Sequence, residues 1–291
     1  MTPTHEHPSD PTERVRLAPA LAAATARLAE AGVASPRVDA ESLAAHVLEV
    51  GRGRLLLMDT MRAGELRRFD ELVARRARRI PLQHLIGTAA FRHLELAVGA
   101  GVFVPRPETE LLAGWGIERT APGATVVDLC SGTGALALSV ADEAKPGQVI
   151  AVERSPAALV FLRRNAAGVE GVRVVEGDVT DPELLAELRG QVDVLLCNPP
   201  YVPDGTPVPP EVADHDPAEA VFGGSDGLVV IRPVIALAAA LLRPGGVVGI
   251  EHDDGHAEAV PELLRADGRF TEVTAHDDLT GRPRFATARR R

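Results

Sequence analysis

Cysteine, lysine and aromatic residues are all scarce in this chain of 291 residues. The two cysteines, Cys130 and Cys197, are too few for a disulfide framework and have no metal-ligand spacing. A reducing cytosol is therefore the expected compartment, and no metal is expected. Lys145 is the sole lysine, so the other basic residues are all arginine, a bias that reads as base composition. The 41 acids outnumber the 31 basic residues and leave a net charge of −10. That excess argues against a protein whose main task is gripping a phosphate backbone, since such affinity rests on neutralising phosphates. Nowhere do the roughly 18 consecutive apolar residues of a membrane span occur; the nine from Val234 to Leu242 suit a buried helix. The polar start, Met1-Thr-Pro-Thr-His-Glu-His7, has no apolar stretch of the signal-peptide kind. The expectation is a soluble, acidic, cytoplasmic protein.

At this length about two domains are expected, and 45% apolar content is enough for a sizeable core. Charge divides the chain. Residues 1–80 hold 13 basic and 11 acidic side chains and residues 81–291 hold 18 and 30, giving +2 and −12. The first dozen residues, with three prolines and no periodic apolar positions, read as a disordered tail, whose end is placed at residue 18. Over residues 19–80 apolar residues recur at helical steps, as in Leu21, Leu28 and Ala31 and again in Phe69, Leu72 and Val73, with Gly32, Pro36, Gly51, Gly53 and Gly64 as stops. This region reads as a small bundle of about four helices. In residues 81–105, Phe91, Leu94, Leu96 and Val98 precede Gly99-Ala-Gly101 and then Val102-Phe-Val104, which suggests a β-hairpin bridging two domains. From residue 106 a helix passes through Trp115, and strands then alternate with helices. Strands are expected at 125–129, 149–152, 172–176, 192–197 and 247–251, helices at 134–144, 156–167, 182–189, 227–242 and 257–266, and two closing strands near 270–275 and 284–288. Such alternation implies a doubly wound α/β sheet, parallel with an antiparallel end.

Two motifs fall at strand ends. Asp128-Leu-Cys-Ser-Gly-Thr-Gly134-Ala-Leu-Ala137 lies where the first strand feeds a helix, and glycine there lets backbone approach a ligand. Glu153 ends the next strand, 21 residues after Gly132, where its carboxylate can accept from ribose hydroxyls. By spacing alone this fits an adenosine-type cofactor, a nicotinamide included, and a tight turn that binds nothing is the bland alternative. The second motif, Asn198-Pro-Pro-Tyr201, follows the strand 192–197. Its two prolines fix the backbone and remove two donors, so their carbonyls can only accept. With the Asn198 side-chain oxygen they can hold a planar –NH2 group by both hydrogens, and Tyr201, the sole tyrosine, can lie against the group that carries it. An amide or aryl amine nitrogen is a poor nucleophile, and two acceptors orient it and favour the positive charge it gains on attacking a methyl sulfonium. A nicotinamide enzyme has no use for such a clamp.

With both motifs in place, the sequence resembles the S-adenosylmethionine-dependent methyltransferases, specifically the release-factor glutamine-N5 family (HemK/PrmC), from about residue 20 to the end. The most specific markers are Pro81-Leu-Gln-His-Leu-Ile-Gly87, then Phe91, then Val102-Phe-Val-Pro-Arg-Pro-Glu-Thr-Glu110. Gly223-Gly-Ser-Asp-Gly-Leu228, Pro244-Gly-Gly246 and Asp278-Leu-Thr-Gly-Arg-Pro-Arg284 match as well. The resemblance implies a Rossmann-like seven-stranded methyltransferase sheet over residues 106–291, with residues 19–80 as a partner-recognition domain. It implies methylation of the glutamine amide in the Gly-Gly-Gln tripeptide of class 1 peptide-chain release factors, by direct displacement from S-adenosylmethionine. By position, the cofactor would contact Asp128, Cys130, Ser131, Gly132, Thr133 and Gly134, with Glu153 on its ribose, Asp178 and Val179 beside its adenine, and Asn198 near its reacting end. Asn198 and the Pro199 carbonyl would hold the glutamine amide, Pro200 and Tyr201 would line its channel, Arg106 and Glu108 would shape the site, and Phe91 would wall it. Val179 stands where the family often has a large side chain, and His252-Asp-Asp-Gly-His256 replaces a more usual glycine and glutamine.

Other features have plainer readings. His252-Asp253-Asp254-Gly-His256 reads as a solvated loop, because methyl transfer from a sulfonium needs no metal. Arg67, Arg68, Arg75, Arg76, Arg78 and Arg79 crowd one helix, as a solvated face or as a docking surface for the partner protein or the RNA it travels with. Residues 202–225, with five prolines and five acids, are expected to help enclose the substrate strand. A monomer with no sequence-specific nucleic-acid partner and no membrane contact is expected. An adenine-N6 methyltransferase, a glutamine methyltransferase of a ribosomal protein and a cofactor-binding scaffold remain as rivals.

Overall fold

A computed structural model describes residues 13–291, in two compact units that divide at Gly87 and Thr88, inside the stretch read as a bridge. In the first unit, β1 (Arg14–Arg16) leads into α1 (Leu17–Glu30) and α2 (Pro36–Val47). A 3-10 turn (Arg52–Leu57), β2 (Thr60–Arg62), α3 (Ala63–Arg76) and the short α4 (Leu82–Ile86) follow. Leu17, Leu28, Leu43, Phe69 and Val73 are buried together as its core. Gly32, at φ 73°, ends the first helix in the left-handed conformation that favours glycine. Pro36 opens the second helix at a position whose N–H has no intrahelical partner.

Three corrections concern this unit. Of the tail expected over 1–18, residues 1–12 lie outside the described residues. The rest is structured, because β1 pairs antiparallel with β2 and α1 starts at Leu17. The bundle has three long helices, and its fourth, α4, lies beyond residue 80. The six arginines also split. Arg67, Arg68, Arg75 and Arg78 are exposed, Arg76 is buried in an ion pair with Asp39 at 2.7 Å, and Arg79 Nη1 donates to the Gly32 carbonyl at 3.0 Å.

The second unit starts with a hairpin, β3 (Thr88–Phe91) and β4 (Leu94–Ala97), followed by α5 (Thr109–Arg119). Then come β5 (Thr125–Leu129), α6 (Ala135–Ala144), β6 (Gln148–Glu153), α7 (Pro156–Ala166), β7 (Val172–Glu176) and β8 (Val192–Cys197). Two short helices, α8 (Pro210–His215) and α9 (Ala218–Val221), precede α10 (Ile231–Leu241), β9 (Leu242–Glu251), α11 (Ala259–Ala266), β10 (Phe270–Asp277) and β11 (Pro283–Arg290). The seven strands lie in the order β7-β6-β5-β8-β9-β11-β10. The first five are parallel, and β11 runs antiparallel to both β9 and β10. Strand order reverses about β5, so a crevice opens at the carboxyl ends of β5 and β8, where open α/β sheets bind ligands.

Alternation along the strands sends side chains to two cores. Val127, Leu129, Leu195 and Cys197 pack on the face covered by α10 and α11, while Val126, Val194 and Leu196 pack on the face covered by α5, α6 and α7. Two sequence readings are corrected. The hairpin turns at Arg92-His93, and Val102 and Val104 form no strand but are buried with Ala158 and Phe161. The helix expected at 182–189 is a run of turns with a 3-10 segment at Ala186–Leu188. Among the described residues, no helix is long and apolar enough to cross a membrane.

Gly249 marks where α5 is pressed onto β9. An added methyl there would lie 2.6 Å from Leu112 Cδ1 and 3.1 Å from Trp115 Cζ3. Gly249→Ala is expected to lower stability by about 1–3 kcal/mol through overpacking, read as a fall in Tm of several degrees by calorimetry. An unchanged Tm would show that α5 can lift without cost.

Candidate active site

The loop after β5 takes an unusual backbone path: Cys130, Gly132 and Gly134 have φ of 59°, 55° and 88°. At Gly134 a side chain would also collide with Leu162, 2.7 Å from the added carbon. This loop is held largely by Glu153. One carboxylate oxygen accepts from the Gly132 amide at 2.8 Å, and the other accepts from Arg154 and Ser155 at 2.9 and 2.8 Å. A carboxylate offers about four acceptor positions, so capacity remains for a ligand hydroxyl. Asn165 of α7 adds a second brace by donating to the carbonyls of Thr133 and Ala97 and accepting from the Ala97 amide.

Beside the loop lies a cavity lined by Cys130, Val152, Glu153, Asp178, Val179 and Pro200, among others. Its walls are mostly apolar, with carboxylates at the edge, which suits the flat base and hydroxylated sugar of an adenosine. Asp178 is kept below its ordinary pKa chiefly by the Thr180 amide, with the Thr180 hydroxyl and Arg154 adding to the effect. Arg154 reaches Asp178 at 3.4 Å and Glu219 of α9 at 3.9 Å, so two acids and an arginine edge the cavity.

The expected cofactor residues therefore fall into two groups. Cys130, Glu153, Asp178 and Val179 share the cavity. Ser131 and Thr133 are buried, and with Gly132 and Gly134 they shape the turn. Asp128 is corrected: it is 0% exposed, and its carboxylate accepts from the Ala137 amide at 3.2 Å. It ties β5 to α6 and touches no open space. Burial pushes its pKa up to about 7.

Asn198-Pro-Pro-Tyr201 emerges from β8 on the other side of the crevice. Pro199 and Pro200 are buried, and Asn198 and Tyr201 are half-buried. Asn198 Nδ2 donates to Thr109 Oγ1 at 3.2 Å, and the Tyr201 hydroxyl donates to Glu251 Oε1 at 3.1 Å. The Gly223-Gly-Ser-Asp-Gly-Leu228 stretch lies behind the tetrapeptide. A side chain at Gly223 would meet the Pro200 carbonyl at 2.6 Å, and one at Gly227 would meet the Tyr201 carbonyl at 2.3 Å. Glycines are needed there because the backbones approach closely.

The segment 202–225 is compact. Val202 bridges to Phe222, and buried Asp216 pairs with Arg106 at 2.6 Å, whose guanidinium also lies over the Phe103 ring. Arg106 thus anchors this segment, while Glu108 is exposed at the start of α5. Phe91 is corrected: at 1% exposure it is sealed among Leu96, Leu112 and Trp115 and walls no site. The solvated loop at 252–256 is corrected too. His252 and His256 are buried, because the His252 amide bonds back to the Arg284 carbonyl and His256 Nε2 meets the Asp226 carbonyl at 2.9 Å. Thr109 lies in the Val102–Glu110 run, Arg284 in the Asp278–Arg284 run and Glu251 at the end of β9, and the sequence reading assigns none of them to the site. An acid closing β9 as Glu153 closes β6 was the available signal.

Among models of known families, residues 19–87 match the PrmC N-terminal domain and residues 109–213 match the methyltransferase small domain. The chain is 58% identical to the release factor glutamine methyltransferase of Mycolicibacterium smegmatis, over 94% of this chain and 98% of that protein. It is 48% identical to the protein of the same name from Mycobacterium tuberculosis, covering 92% and 89% respectively, and 48% identical to that of Streptomyces coelicolor, covering 93% and 96%.

The folded pKa of Asp128 lies above its ordinary 3.8, so between pH 4 and about 7 the folded state binds more protons. Its contribution to stability is then lost as pH rises through that window. Asp128→Asn keeps an acceptor for Ala137 without the charge. Its Tm relative to the native protein is expected to be higher at pH 8 than at pH 5, and an equal difference at both would remove Asp128 as the cause.

Proposed function

The chain belongs to the release factor glutamine methyltransferase family, and on that premise we propose that it methylates the side-chain amide nitrogen (N5) of the glutamine in the Gly-Gly-Gln tripeptide of class 1 peptide-chain release factors. The methyl donor in this reading is S-adenosylmethionine. Its adenosine would occupy the cavity between Cys130, Glu153, Asp178 and Val179, with Glu153 on the ribose. When bound it supplies an electrophilic methyl group on a sulfonium. The compartment is the cytoplasm, where release factors act.

The observation that carries this reading is the set of acceptors at Asn198-Pro-Pro-Tyr201. The Asn198 nitrogen is committed to Thr109, which leaves Oδ1 as the end available to a ligand. The carbonyls of Pro200 and Tyr201 lie close against Gly223 and Gly227, so this reading assigns the second acceptor to Pro199. Oδ1 and the Pro199 carbonyl are two acceptors for the two hydrogens of a primary amide. Holding both hydrogens orients the nitrogen and stabilises the positive charge it gains on attack. No base is needed beforehand, because the proton becomes acidic as the new bond forms. Tyr201, tethered through its hydroxyl, offers its ring as a wall to the side chain that carries the amide, beside Pro200. Glu108 and Arg106 frame this side of the site, and the Arg106–Asp216 pair secures the 202–225 segment. Residues 19–80, with exposed Arg67, Arg68, Arg75 and Arg78, are the partner-recognition domain in this reading. The charge of −12 in residues 81–291 favours a protein acceptor over a nucleic acid.

The test uses labelled S-adenosylmethionine with unmethylated release factor, beside a release factor whose Gly-Gly-Gln glutamine is replaced. Label is expected on the first only. Label on neither would turn the reading toward a ribosomal protein or an adenine acceptor. Asn198→Ala is expected to cut kcat by roughly a hundredfold or more, the scale seen when one group stabilising developing charge is lost. The cofactor Kd should stay nearly unchanged, and a variant of near-normal rate would remove the clamp.

A further inference from the structure

Asn165 sits on α7 outside the lining of the cavity, yet its side-chain oxygen and both side-chain hydrogens are spent on two other segments. Oδ1 accepts from the Ala97 amide at 2.8 Å. Nδ2 donates to the Ala97 carbonyl at 3.1 Å and to the Thr133 carbonyl at 3.0 Å. A carbonyl can only accept and a backbone N–H can only donate, so the side-chain amide has one orientation. Towards Ala97 it acts as one more peptide group, pairing with both backbone groups of the residue that ends β4. Its second hydrogen goes to the turn after β5.

Thr133 is where that turn most needs a hold. It lies between Gly132 and Gly134, both at positive φ, and glycine reaches other conformations at little cost. Glu153 fixes the Gly132 amide from one side, and Asn165 fixes the Thr133 carbonyl from α7. Thr133 is buried, and its carbonyl loses this donor if Asn165 is replaced. With both holds in place the turn has its shape before a ligand arrives, so ordering it does not count against binding.

Ala97 begins the other segment. Val98, Val102 and Val104 follow it along α7, buried with Ala158 and beside Phe161. Close approach to the helix is built in: an added methyl at Gly99 would stand 3.0 Å from Phe161 Cζ, and one at Gly101 would stand 3.0 Å from Ala157 Cβ. The chain then reaches Arg106, which pairs with Asp216 at 2.6 Å, and Thr109, whose Oγ1 accepts from Asn198 Nδ2 at 3.2 Å. One end of this strap is held by Asn165, and the other meets the residue assigned above to the acceptor amide.

We propose that Asn165 is a positioning residue that ties the cofactor turn to this strap and so fixes the methyl donor relative to the acceptor amide. The inference rests on the S-adenosylmethionine reading given above and adds what keeps the two sides of the crevice in register. Asn165 touches neither reacting group. It makes the place of the turn depend on the place of the strap, because one amide cannot bond to both if either moves by about an ångström. A displacement of that size is enough to slow a transfer whose reacting atoms must stand about 3–3.5 Å apart. The tie also works in reverse. Cofactor bound at the turn steadies Ala97 through Asn165, although residues 97–104 do not line the cavity.

The test uses the full chain and starts with the Kd of S-adenosylhomocysteine by calorimetry, for the native protein, Asn165→Ala and Asn165→Asp. Asn165→Ala removes all three bonds, whereas Asn165→Asp keeps an acceptor for the Ala97 amide and offers no donor to either carbonyl. Kd is expected to rise about tenfold in both. With release factor and saturating S-adenosylmethionine, kcat is expected to fall by about tenfold to a hundredfold at temperatures well below each Tm. In the native protein S-adenosylhomocysteine should slow deuterium uptake over residues 94–104 by about threefold or more, and Asn165→Ala should abolish that slowing. A lowered Tm with native Kd and kcat would make Asn165 a structural brace alone and overturn the proposal. Uptake over 94–104 that ignores the ligand in the native protein would overturn it as well, and decides the matter if neither variant folds. A native chain that binds no S-adenosylhomocysteine removes the cofactor reading itself, whereas native binding that both variants share unchanged removes only the tie.

Discussion

Donors in the loops at the carboxyl edge of the sheet need acceptors where water is largely excluded, and buried carboxylates supply them. Leaving such groups unmatched is costly, so each acceptor decides which conformation its loop can keep. Glu153 gathers three backbone amides and thereby fixes the path of the loop through Cys130, Gly132 and Gly134. Asp128 takes the Ala137 amide and joins the strand to the helix that follows. Glu251 takes the Tyr201 hydroxyl. The two halves of the crevice are thus built by the same chemistry, with a backbone-binding acid on one side and a side-chain-binding acid on the other.

This arrangement carries a cost that the rest of the unit offsets. Asp128 and Glu251 are fully buried, and both are pushed up to about 7 because the interior disfavours their charge. Neither is compensated by a close salt bridge at bonding distance, as Asp39 is by Arg76 in the first unit. The stability to tolerate them comes from the two apolar faces of the sheet, where strand alternation buries valine and leucine on both sides. Charge that is expensive to keep at the crevice is therefore held on an apolar support that needs no charge at all.

The parallel sheet was legible because each of its strands is a short apolar run bounded by turn residues, and both motifs were legible because they sit where those runs stop. What remained hidden depended on contacts between distant segments. Arg92 turns the hairpin at φ 50° with no glycine or proline to announce it, whereas Gly99 and Gly101, which did look like a turn, belong to the stretch that packs on α7. His252 and His256 lie among acids and read as solvated, and only the return of β11 and the tight approach of Gly227 bury them. The position of Asn198 at the end of a strand was legible, but its hydrogen-bond partner was not. Thr109 reaches it from the start of α5, while Glu251 at the end of β9 takes the Tyr201 hydroxyl.

The Gly223 to Leu228 stretch shows how little of the tetrapeptide is left to chance. Two prolines already restrict its backbone and remove two donors, yet three successive carbonyls would still be open to a ligand. Gly223 and Gly227 cover those of Pro200 and Tyr201 by close approach, and His256 holds the covering segment through the Asp226 carbonyl. A larger residue at either glycine would push the segment off, because backbone rather than a flexible side chain stands in the way. Proline stiffness, glycine contact and the Tyr201–Glu251 hydrogen bond act on different atoms of the same four residues. Their joint effect is to fix the path of the tetrapeptide and to cover the carbonyls of Pro200 and Tyr201.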